Sequence, residues 1–146
     1  MLRAFLVLCL FSTFGVAETF SPVGKWRTID DESKKPRGIV EITQEPNGKL
    51  IGKILEVFPK AGEPDIPICI NCTGERKNQF VVGMIILWDV EKRKSDWGNG
   101  KILDPENGKI YRVKISVIDA GKRLKVRGYI GFSIFGRTQH WERVSP

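Results

Sequence analysis

Hydrophobic and polar residues alternate along most of this chain, and no long stretch carries the three-to-four spacing of an amphipathic helix. The alternation predicts strands over Gly24–Asp30, Arg37–Gln44 and Lys49–Phe58. The second and third are joined by Glu45–Gly48, whose Asn-Gly pair tolerates positive φ and is a strong hairpin signal. Residues 59–79 carry prolines and both Cys69 and Cys72, which predicts a long loop. Phe80–Val90 is almost continuously apolar and predicts a strand buried on both faces for part of its length. A second hairpin is expected over Gly100–Asp119, with its turn at Asp104–Gly108. Within it Tyr111, Val113, Ile115 and Val117 share one face, and Arg112, Lys114 and Ser116 the other. Further on, Leu124, Val126 and Ile130 fall on one side of a strand, and Arg137–Val144 supplies the last. About eight short strands with tight turns predict an all-β, antiparallel meander, which is most stable when it closes into a barrel and leaves no edge. Gly128, Gly131 and Gly136 are places where such a sheet can bend sharply.

The first residues follow a different pattern. Arg3 precedes an apolar run over Ala4–Phe14, and Gly15-Val16-Ala17 sets small residues before a cleavage point. This predicts a secretory signal over residues 1–17, a single barrel domain over residues 18–146, and a periplasmic or secreted location. The run is shorter than the ~20 residues of a membrane span, so no transmembrane segment is expected after signal removal. The formal charge of +7 is distributed along the strands, as on the solvated face of a sheet. It also suits an anionic envelope lipid as partner. Nucleic acid is not expected as a partner outside the cytoplasm, and no stacking-aromatic motif is present.

Candidate chemistry is sparse. Cys69 and Cys72 stand in C-x-x-C spacing, but a zinc site needs four ligands, or three and a water, and His140 is the only histidine. A redox C-x-x-C needs its first cysteine at a helix N-terminus, and here the pair lies in a proline-containing loop. A disulfide between Cys69 and Cys72 is the expectation, a local staple whose four-residue ring adds at most ~2 kcal/mol. No metal or cofactor is expected. Asp30, Asp31 and Glu32 form an acidic run that reads as a solvated turn neutralised by Lys34 and Lys35, so no catalytic residue is assigned. Ile130–Gly136 sets Phe132, Ile134 and Phe135 between glycines. The segment reads either as a turn plugging the core or as an apolar tip at the barrel mouth, touching a ligand or a membrane surface.

Gly24-Lys25-Trp26 on the first strand and His140-Trp141-Glu142-Arg143 on the last resemble the lipocalin-like, or calycin, arrangement. The resemblance implies that Arg143 packs over Trp26 and closes the barrel, a contact contributing about 0.5–2 kcal/mol. Six stretches, in order from Gly24-Lys25-Trp26 through Cys69-Ile70-Asn71-Cys72 to His140-Trp141-Glu142-Arg143-Val144, resemble the bacterial domain-of-unknown-function family 2147. That likeness implies an exported calycin-like barrel and carries no activity or catalytic residue with it. A barrel of this size either fills its interior or leaves room for one ligand. Two functions follow as expectations. One is binding of a small apolar or amphipathic molecule, lined by Ile42, Ile54, Tyr111, Val113, Ile115 and Val126 together with Trp26. The other is an envelope interaction through the basic face and the apolar tip, with no interior ligand.

Overall fold

The computed structural model describes residues 20–145, and the predicted export segment, residues 1–17, lies outside the described residues. Eight antiparallel strands run in sequence order around a closed barrel. They are β1 (Gly24–Ile29), β2 (Pro36–Gln44), β3 (Leu50–Val57), β4 (Ile85–Lys92), β5 (Trp97–Asp104), β6 (Lys109–Ile118), β7 (Arg123–Tyr129) and β8 (Gly136–Arg143). Among the described residues the only helical turn is a 3-10 turn at Gly74–Arg76, and no helix is long and apolar enough to cross a membrane.

Turn chemistry accounts for the two hairpins. At Glu45–Gly48 the fixed φ of Pro46 suits the first central position of a type I turn, and Gly48 alone takes a positive φ, +84°. The Gly48 N–H donates to the Glu45 carbonyl at 2.9 Å. Asn47 acts through its side chain, accepting the Lys49 N–H at 2.8 Å, and not through the left-handed backbone expected of it. The Asp104–Gly108 turn repeats the device: Gly108 sits at φ +70°, and Asn107 accepts the Lys109 N–H at 2.8 Å.

Two expectations need correction. Phe80–Val90 is not a strand throughout, because Val81–Met84 form a tight turn around Gly83 at φ +88° and β4 begins only at Ile85. The apolarity of that turn serves burial, with Val81 and Met84 packed onto the core. Ile130, expected beside Leu124 and Val126, lies past the end of β7 and is 63% exposed, since the chain bends away at Gly131.

Packing is uneven along the barrel axis. The end near Phe20 and Val144 is filled: Trp26, Ile42, Leu50, Val90 and Leu124 are fully buried. Each such side chain contributes about 1.5–3 kcal/mol by leaving water. Trp26 pairs with Arg143 where β8 returns to β1, and the guanidinium carbon lies 4.1 Å from the indole centroid. Arg143 also donates to the carbonyls of Gly121 at 2.6 Å, Ser21 at 2.7 Å and Val23 at 3.1 Å. Trp26 Nε1 donates to the Pro22 carbonyl at 2.8 Å. One arginine thus gathers both chain ends and the β6–β7 turn. Burial pulls its pKa down, and backbone carbonyls stabilise the charge. Gly24 makes this possible, because at φ +136° a Cβ would sit 2.8 Å from Arg143 Nη1. The β8–β1 seam itself is short. Only Trp26–Arg143 and Arg27–Glu142 pair across it, whereas β7 and β8 pair from Arg123–Glu142 to Tyr129–Gly136.

Candidate functional site

At the opposite end the barrel is hollow. A cavity of about 830 Å³ opens there, within the range of about 300–1,000 Å³ common for small-molecule sites. Val40, Ile54, Ile86, Ile102 and Val126 are on its wall, as is Trp141, which pairs with the base residue Leu124. The polar groups among them are engaged. The Tyr111 hydroxyl accepts from Asn107 Nδ2 at 3.0 Å, and the Gln139 amide oxygen accepts from Trp141 Nε1 at 3.0 Å. The wall is therefore mostly apolar, with the Tyr111 hydroxyl and the Gln139 amide N–H groups as its few polar features.

The rim is charged and tied across loops. Arg37 donates to the Phe58 carbonyl at 3.0 Å, to Glu63 at 2.8 Å and to Glu106 at 2.6 Å. Partial burial opposes its charge, yet the two carboxylates outweigh this and push its pKa up. Lys60 reaches Asp30 at 2.7 Å, and Arg137 bonds Asp31. The hydrogen bond from Lys60, then those from the Ser33 backbone and hydroxyl, hold the Asp30 carboxyl well below the usual carboxylate range. Asp30 and Asp31 of the acidic run are neutralised by these distant partners and not by Lys34 and Lys35. A carboxylate held so firmly in its charged form is a poor proton donor at neutral pH.

Cys69 and Cys72 are joined by a disulfide, with Cα atoms 5.3 Å apart and both side chains buried. The loop they shape forms one side of the mouth through Ile68, Ile70 and Asn71. It is docked on the β5–β6 turn: Asn71 Nδ2 donates to the Glu106 carbonyl at 2.8 Å, and a Cβ at Gly108 would collide with the Asn71 carbonyl. Gly108 is thus required both by its φ and by close approach. Among the described residues no group of three or more His, Cys, Asp or Glu is placed to hold a metal ion.

The sequence-predicted lining divides in two. Ile54, Tyr111 and Val126 lie on the cavity wall, whereas Ile42, Val113, Ile115 and Trp26 are buried in the packed core and do not line the cavity. The Ile130–Gly136 segment does not plug the core. Phe132, Ile134 and Phe135 are 78%, 76% and 73% exposed, and Ile130 and Phe135 border the cavity. Sequence reasoning missed the Arg37 network, whose partners are 26 and 69 positions away, and Trp141 as a cavity residue. An arginine directly after Pro36 at a strand start was the available signal for the former.

The fold has a solved counterpart. A Helicobacter pylori protein described as "Protein HP1028 from the human pathogen Helicobacter pylori belongs to the lipocalin family" aligns with a TM-score of 0.72 and 23% identity. The alignment covers 87% of this chain and 85% of that one, and at this identity it speaks for the fold alone. No curated protein matches the chain. Residues 24–143 match the family described as "Uncharacterized protein conserved in bacteria (DUF2147)", and the chain belongs to that family.

Proposed function

We propose that this protein, exported to the periplasm or beyond, binds a small apolar or amphipathic molecule in the mouth of its barrel. The observation that carries the reading is the contrast inside one cylinder: a sealed base beneath a cavity of about 830 Å³. Apolar residues line the depth, where an alkyl or ring portion leaves water at about 25 cal/mol per Å² buried. Charged groups ring the entrance, where the polar end of an amphipathic molecule stays hydrated or meets Arg37, Glu106 or Asn71. The lipocalin-like form of the barrel supports this reading. So does the small number of polar groups on the wall, where the Tyr111 and Gln139 oxygens already accept hydrogen bonds from the protein.

The test uses protein purified from its own host, extracted with organic solvent and analysed by mass spectrometry, alongside titration with N-phenyl-1-naphthylamine. A co-purifying amphiphile at a fixed ratio, displaced by the dye with quenching of Trp141, is the expected result. Absence of both a co-purified molecule and dye uptake would sink the reading.

A further inference from the structure

We infer that the barrel docks mouth-first on an anionic lipid bilayer, inserting the 130–135 turn and setting cations of β6 and β7 against lipid phosphates. The inference goes beyond ligand binding and does not depend on it. Large exposed apolar side chains gather around the mouth, with Ile130, Phe132, Ile134 and Phe135 on one side and Ile70 and Phe80 on the other. Scattered exposed apolar residues are ordinary on a protein surface, but a cluster on projecting loops marks a contact with something apolar.

The turn is also fixed in place. Arg127 donates through Nε to the Ser133 carbonyl at 2.7 Å and through Nη2 to the Ile134 carbonyl at 3.2 Å. The Phe135 N–H closes the turn onto the Phe132 carbonyl at 3.0 Å. The result is a convex wedge, which suits a deformable lipid surface and offers no groove to a peptide.

The charge behind the wedge points to the class of lipid. In the β6–β7 ladder Lys114 stands directly opposite Arg127, with Arg112 one step toward the mouth and Lys125 one step toward the base on the same face. Like charges directly opposite one another repel. Among the described residues no carboxylate lies within 4.0 Å of any of these four cations. Asp96, which shares a groove with Lys114, Lys125 and Arg127, is bonded to Arg93 at 3.4 Å. At the rim Asp30, Asp31, Glu63 and Glu106 are ion-paired. Glu56 and Asp104 also border the cavity and have no cation within 4.0 Å among the described residues, but they stand on β3 and β5 and not on the two strands that lead into the wedge. On β6 and β7 the charge left without an opposite partner is positive. With strands rising about 3.3 Å per residue, Arg112 and Lys114 reach headgroup depth once the apolar turn enters by about 5–10 Å.

The test is co-sedimentation with vesicles of phosphatidylglycerol mixed with phosphatidylethanolamine, and separately with vesicles of phosphatidylcholine. Wild-type protein is expected to bind the anionic vesicles at about 0.05 M salt, to lose most binding at about 0.5 M, and to bind phosphatidylcholine weakly. The double variant Phe132→Ser/Ile134→Ser should weaken binding about tenfold or more. Lys114→Gln/Lys125→Gln should remove the preference for phosphatidylglycerol. None of these four residues lines the cavity, so dye uptake without vesicles should match wild type in both variants and report intact folding. Wild-type protein that ignores anionic vesicles, or a Phe132→Ser/Ile134→Ser variant that binds them like wild type, would overturn the docking. Vesicle binding by a protein that takes up no dye would uphold docking while the cavity reading fails.

Discussion

The two ends of this barrel are built from the same alternating strands and do opposite things. At the base Trp26, Leu50, Val90 and Leu124 fill the cylinder, and Arg143 ties the chain ends to it through backbone carbonyls. At the mouth the inward positions stop short of one another, and stability comes from rim ion pairs and a disulfide-shaped loop. The base is tied by contacts that salt does not disturb, while the ion pairs of the mouth are weakened by salt and, with the Asp30 and Glu63 carboxyls held in their charged form, are lost only in acid. The division teaches where stability is stored and where shape is left free for binding.

Three perturbations sharpen that division. The largest effect is expected for Trp26→Ala, which opens a void in the base and removes the surface beneath Arg143. A loss of about 3–5 kcal/mol in denaturant unfolding is expected, and an unchanged midpoint would show that the base is not the stabilising end. Next comes one substitution made at both ends. Leu124→Trp overpacks the base and should cost about 1–3 kcal/mol. Ile102→Trp projects into the cavity, should change the midpoint by less than about 0.5 kcal/mol, and should abolish dye uptake. Equal destabilisation by the two would mean the cavity is no roomier than the core.

The smallest effect concerns pH. Asp30 has its folded pKa depressed by Lys60 and Ser33, so its contribution is fully present above its unfolded pKa of about 3.9 and fades as pH falls toward the folded value. Asp30→Asn should therefore lower the melting temperature at neutral pH. The gap from wild type should close in acid below about pH 4, and a gap that stays constant with pH would refute the role given to that carboxylate.

The fold was largely legible because the signals that define it are local. Asn47-Gly48 and Asn107-Gly108 mark hairpins, and alternation marks strands. Gly24, Trp26 and Arg143 mark the closure. The site was legible only in part, since alternation reports whether a side chain faces inward and not how far along the axis it lies. Ile54 and Ile42 look alike in sequence, and only barrel register sends one to the wall and the other to the base. The Phe80–Met84 run misled for a related reason, as burial in a turn leaves the same apolar signature as burial in a strand. Rim pairs such as Arg37–Glu106 were hidden because charged residues in alternating segments resemble a solvated face until the loops meet.

The brevity of the seam between the last strand and the first has a consequence for what the barrel can hold. Above Arg27 and Glu142 the ladder stops, and the Asp31–Arg137 ion pair spans the gap between the β1–β2 turn and the start of β8. Thr28 and Gln139 border the cavity on that side, so the stretch of wall joined by side chains in place of a backbone ladder is also a wall of the chamber that receives the guest.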